Sequence, residues 1–168
     1  LAGQETTEVV GDFVTDARFS PFLRSIEMEV EMFGMLPNKE LYFYFDGVSV
    51  DEHVASAERM TESALDQREP GDQKILNRTS EFGGATITTD ANGVARAIFR
   101  IPAETFYVGD RLLEVSSSNT YDGVKDSVTY AKKMYHGYNF SVEKSRLLST
   151  TRMPEFEASQ TVDVDVDV

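Results

Sequence analysis

Residues Arg24–Val50, RSIEMEVEMFGMLPNKELYFYFDGVSV, hold two strands and the turns that end them. Ile26, Met28, Val30 and Met32 alternate with Glu27, Glu29 and Glu31. A period of two predicts a half-buried strand with its glutamates facing solvent. Gly34 to Asn38 follows as a turn in which Pro37-Asn38 sets the backbone. The next strand, Leu41 to Phe45, is apolar on both faces, with Leu41, Phe43 and Phe45 on one and Tyr42 and Tyr44 on the other. It therefore reads as a central or covered strand. Asp46-Gly47 closes it with a turn signal, and Val48 to Val50 continues briefly.

Working outward, Thr86–Ser118 reads TITTDANGVARAIFRIPAETFYVGDRLLEVSSS. Asp90-Ala91-Asn92-Gly93 between β-branched runs predicts a hairpin. Ala95, Ala97, Phe99 and Ile101 are expected inward, and Arg96, Ile98 and Arg100 outward, before Pro102 stops the strand. Gly109-Asp110 turns into a strand over 111–116. Asp122-Gly123 turns again, and Ser127 to Tyr135 reads as the last strand of the core. Short strands punctuated by Gly, Asn and Asp argue for an all-β, antiparallel sandwich.

Between these stretches the pattern changes. Val54, Ala57, Met60, Ala64 and Leu65 recur at helical spacing, with Asp51 as a cap and Pro70-Gly71 as the stop. They predict a short helical or loop insertion over 51–80. Phe82-Gly83-Gly84 reads as a flexible joint. The organisation expected is an N-terminal extended arm over 1–20, a β-sandwich over 21–137, and a C-terminal arm or start of a following domain over 138–168. The first residue is Leu, with no basic or apolar leader after it, so no signal peptide is expected and the chain reads as processed or as a segment of a longer one.

Composition narrows the function. The 168 residues suffice for one domain with a core, and Cys is absent, so neither disulfides nor thiolate metal sites hold the fold. The net charge of −13 argues against a nucleic-acid partner. No run approaches the ~18 apolar residues of a membrane span. His53 and His136, the two histidines, lack His-x-His or HExxH spacing, and no Gly-x-Ser-x-Gly, P-loop or GxGxxG occurs. Catalytic, cofactor-binding and metal residues are therefore expected to be absent. Asp163, Asp165 and Asp167 lack the glycine of a calcium loop, since Val168 stands at its sixth position; alternation puts them on one strand face, where like charge protects an edge.

The two stretches together resemble a module recurring in virion structural proteins of tailed bacteriophages of the myovirus and cyanophage type. The resemblance rests on Arg24-Ser25, Gly34-Met35-Leu36-Pro37-Asn38 and Tyr42-Phe43-Tyr44-Phe45-Asp46-Gly47-Val48. It continues in Thr89-Asp90-Ala91-Asn92-Gly93, Phe99-Arg100-Ile101-Pro102 and Phe106-Tyr107-Val108-Gly109-Asp110-Arg111-Leu112-Leu113. It covers roughly residues 20–135; Ile26 stands where a second Arg often follows Arg-Ser, and the insertion at 51–69 is longer than usual. It implies an immunoglobulin-like β-sandwich in a non-enzymatic structural protein of the tail or baseplate. Its expected partners are other virion proteins, in repeated symmetric copies, with no membrane. The alternatives are a host-surface module for glycan or receptor and a capsid decoration or neck protein.

Contact residues are fewer. Arg111 reads either as the partner of a carboxylate on an adjacent strand or, with Arg24, as an interface anchor. Tyr42 and Tyr44 are the aromatic contact candidates, because Tyr suits a half-wet site. Phe43, Phe45, Phe99 and Phe106 read as core.

Overall fold

In a computed structural model, residues 20–138 are described in full, together with the backbone of the strands at 5–10, 13–18, 142–145, 147–151 and 164–167. The alternating segment forms a strand one residue later than its pattern, β3 (Glu27–Phe33), in our chain-order numbering after β1 (Glu5–Val10) and β2 (Phe13–Arg18). Then come β4 (Glu40–Phe45), β5 (Val48–Ser49), β6 (Val54–Arg59), helix α1 (Glu62–Asp66), β7 (Leu76–Arg78), β8 (Ile87–Thr88) and β9 (Ala95–Arg100). They are followed by β10 (Gly109–Ser116), β11 (Thr129–Gly137), β12 (Val142–Ser145), β13 (Leu147–Thr151) and β14 (Val164–Asp167).

The chain is all-β in class, with two largely antiparallel sheets. One runs β5-β4-β10-β11 and the other β3-β9-β6-β7. Their facing sides share one core: Met28, Val30 and Met32 from β3, Phe43 and Phe45 from β4, Ala97 and Phe99 from β9, Leu113 and Val115 from β10. Phe45 sits at its centre, edge-on to Phe99 at 5.1 Å and to Phe106 at 4.8 Å between ring centroids. Edge-to-face pairs of this kind add to area burial.

The outer side of the second sheet departs from the sequence pattern. Glu31, expected in solvent, is 1% exposed, and Glu29 is half-buried. Ile98, expected outward, is also buried. The reason is that residues 60–82 fold back over this side. The Glu29 carboxylate accepts the backbone N–H groups of Ile75 and Leu76, and Ala57, Leu76 and Ile98 form a second small core with Ile75 and Phe82 against it. Alternation fixes the side of a sheet, not whether a later segment covers it.

The helical insertion is corrected too. Residues 51–53 make a single 3-10 turn, 54–59 are strand β6, and only Glu62–Asp66 is α-helical. Val54, Ala55 and Ala57 are buried by pairing with β9 and β7, which overrides helical spacing. Asp51 does not cap a helix; its Oδ1 accepts the Phe43 N–H at 2.7 Å. The cap of α1 is Thr61, whose Oγ1 accepts from Ala64 N.

The Asp90–Gly93 turn forms, but its flanks do not make a hairpin. β8 pairs with β4, whereas β9 pairs with β3 and β6. The turn carries the chain from one sheet to the other. Asp90 Oδ1 accepts from Asn92 N and Val94 N. Gly93 has φ +75°, and a Cβ there would land on the Met35 carbonyl oxygen, so only Gly fits. The expected joint at Gly83 is instead a close approach to the Glu52 backbone.

Strands also lie on either side of residues 20–138. β1 and β2 pair antiparallel, as do β12 and β14. β11 is not the last strand: β13 pairs antiparallel with β11 and parallel with β3, joining the two sheets. The Val-Asp alternation includes β14, but the side chains of Asp163, Asp165 and Asp167 lie outside the described residues.

Candidate interaction face

The outward side of β4, β10 and β11 is built in rows by strand register. Tyr42 stands beside Ser116, and Ser116 beside Tyr130; Tyr44 stands beside Glu114, and Glu114 beside Lys132; Leu112 stands beside Met134. Leu113 and Val115 point into the core, so alternation forces Leu112, Glu114 and Ser116 onto the outer side. A 3-10 segment, Tyr121–Asp126, then brings Tyr121 over this face.

Glu114 is the hub. It is 1% exposed, and its carboxylate accepts the Tyr121 hydroxyl at 2.7 Å and the Tyr130 hydroxyl at 2.6 Å. Charge-assisted bonds of this length are the strong class. Burial, then the bond to Glu114, pushes the Tyr130 phenol far above its ordinary range. For Tyr121 the bond to Glu114 leads and burial follows. Both phenols therefore stay protonated and donate. Tyr44 packs on Tyr121 at 5.3 Å between centroids and donates to the Ser118 carbonyl at 2.8 Å.

The four contact candidates separate. Tyr42 is half-buried on this face, its hydroxyl 3.4 Å from Glu40. Tyr44 is on the same face but 3% exposed, so it supports Tyr121 and offers little surface of its own. Arg111 lies at the end of β10, with Nη1 3.1 Å from Asp46 Oδ2 and Nε donating to the Tyr107 carbonyl. Arg24 is exposed just ahead of β3. Sequence reasoning missed Glu114, Tyr121 and Tyr130, because their meeting depends on the β4–β10–β11 register and on the 3-10 segment; the available signal was Glu114 on the outer side of an aliphatic strand.

The opposite outer side carries a second charged group. Arg59 reaches Glu31 through Nε at 2.9 Å and Nη2 at 3.1 Å, and Arg96 Nε reaches it at 2.8 Å. Beside it, the guanidinium carbons of Arg78 and Arg100 lie 4.8 and 4.0 Å from the centroid of the Phe82 ring. His53 is 3.4 Å from Glu52, and His136 Nδ1 is 2.7 Å from Asp110. Among the described residues no three metal-ligating side chains come together, and no helix is long and apolar enough to cross a membrane. The tyrosine face thus sets amphipathic phenols on an internally bonded base centred on Glu114.

No family model, curated protein or solved structure matches this chain.

Proposed function

We propose that this chain is a non-enzymatic structural module of a tailed-bacteriophage virion, an immunoglobulin-like β-sandwich acting as a packing, spacer or docking unit in the tail or baseplate. The observation that carries the fold part of this reading is the strand order. β3, β9 and β6 take the places of strands B, E and D, and β5, β4, β10 and β11 those of C′, C, F and G. Position A, beside B, is taken by β13, which runs parallel to β3, a departure from the usual antiparallel neighbour. The virion assignment draws on the motifs within 24–50 and 86–118, and the docking role on the tyrosine face. Cryo-electron microscopy of purified particles tests it. Density for the chain in tail or baseplate, with Tyr42 and Tyr121 against a neighbour, is the expected result; absence from the particle overturns it.

A second reading, a host-surface binding module, is favoured by Tyr107. This ring is 61% exposed in an end loop and stacked on Phe22 at 5.1 Å, a platform of the kind a sugar ring stacks on. Saturable glycan binding abolished by Tyr107→Ala would support it; binding that survives the substitution would sink it.

A further inference from the structure

The side of the molecule where β4 and β8 approach β6 has an open strand edge. Thr89 N donates to the Lys39 carbonyl, and the register pairs Glu40 with Thr88 and Leu41 with Ile87. In an antiparallel ladder, bonded and non-bonded pairs alternate. Ile87 therefore exchanges its backbone bonds with Leu41, and the C=O of Thr86 and the N–H and C=O of Thr88 point away from β4. Both threonines are exposed. The stretch Gly83–Thr89, GGATITT, has no charge and no proline, so of the usual protections of an edge strand β8 carries only its shortness, two residues.

Two cavities flank this edge, of about 350 and 360 Å³. Thr86 and Ile87 line both. The first is lined by Leu41 and Val54 and by the acidic residues Asp51 and Glu52; Asp51 already accepts the Phe43 N–H, which leaves Glu52 as the exposed carboxylate. The second is bordered by Glu58 and Asp90. Among the described residues the one cation lining either is Arg96, and Glu31 holds it.

We propose that the outer edge of β8 is a strand-acceptor site for an extended peptide segment carrying lysine or arginine side chains. Backbone bonds to Thr86 and Thr88 give the affinity, and basic side chains meeting the acidic residues that line the two cavities give the selectivity, as in strand addition generally. The site does not require that the chain belong to a virion.

The probe is a blocked heptapeptide of alternating Thr and Lys, compared with its Thr-Glu counterpart and with a Thr-Lys peptide whose central residue is Pro. Binding to the full chain is followed by NMR, which also reads amide exchange at Thr88. The expected result is saturable binding of the Thr-Lys peptide, slowed exchange at that amide, and at least about fivefold weaker binding of the Pro peptide, the worth of about one hydrogen bond. Two chain variants complete the test: Thr88→Pro, which removes one outward N–H, and the exposed pair Glu52→Lys with Glu58→Lys. The double charge variant keeps the test sound if the proline variant does not fold. No saturable binding, equal binding of the Thr-Glu peptide, or binding without change in exchange at Thr88 overturns the proposal.

Discussion

Replacing Glu31 with Gln is expected to destabilise the fold by about 2–3 kcal/mol. Glu31 receives three charge-assisted bonds from Arg59 and Arg96 at 2.8 to 3.1 Å. Breaking a fully buried ion pair by removing one partner costs about 3–5 kcal/mol, since the other charge is left unpaired in a poor solvent. Here the relief is partial: the side chains of Arg59 and Arg96 are 49% and 29% exposed, so water can take up part of each guanidinium. The amide also keeps one acceptor oxygen. These two effects bring the figure below the fully buried range. Arg59→Ala should cost less, about 1 kcal/mol, because Arg96 still neutralises the carboxylate and half of Arg59 is in water. Urea unfolding followed by far-UV circular dichroism measures both, the chain having no Trp. The slope against urea should stay constant while the midpoint falls. A Glu31→Gln midpoint indistinguishable from the parent's, or a larger loss for Arg59→Ala than for Glu31→Gln, would refute the view that the buried carboxylate is the costly partner.

Further outcomes follow from other sites. Gly93→Ala forces a Cβ onto the Met35 carbonyl at φ +75° and should cost at least about 1–3 kcal/mol by thermal or urea unfolding; a neutral result would mean the turn can move away. Tyr130→Phe leaves buried Glu114 one donor short and should cost about 1–3 kcal/mol, coupled to Tyr121→Phe in a double-mutant cycle; strict additivity would deny the shared hub. Asp51 gives a pH signature. Burial, opposed by the bonds from Phe43 and Ser49, raises its carboxyl above the ordinary range. The folded chain then holds this proton to higher pH than the unfolded chain, so stability is lost as pH rises from the ordinary carboxylate value of ~3.9 through the raised one. Asp51→Asn, which still accepts the Phe43 N–H, should gain on the parent across that window and hold its gain above it. A stability difference between the two proteins that is flat from acid to neutral pH would contradict the assignment.

What the sequence made legible is the local part of the fold. Met28, Val30 and Met32 announce the buried side of β3, and Leu41, Phe43 and Phe45 that of β4. The Asp46-Gly47 and Asn92-Gly93 turns lie where the residues place them, whereas Gly109-Asp110, read as a turn, is the paired start of β10, and Asp122-Gly123 sits inside the 3-10 segment. What it did not make legible is which segment covers which sheet. Glu31 in an alternating strand reads as solvent-facing until residues 60–82 fold over it. Val54 to Arg59 reads as helix because small and charged residues spaced by three or four fit both periods, and pairing with β9 decides the matter. The strand pairing of β8 with β4 was hidden for the same reason: the turn at 90–93 fixes a reversal, not the partner. Tyr42 was legible as an outward aromatic. The hub at Glu114 required contacts among three separate elements.

The double allegiance of β13 has a mechanical side. It lies parallel to β3 through Leu147 and Leu148 and antiparallel to β11 through Ser149 to Thr151. Tension drawn between the chain ahead of Glu27 and the chain beyond Thr151 slides β3 and β13 past one another lengthwise. The bonds joining them are then stretched together, instead of being peeled apart in succession. Such a clamp should yield abruptly at one high force in single-molecule pulling from these two ends, and gradual yielding would show that β13 peels away first.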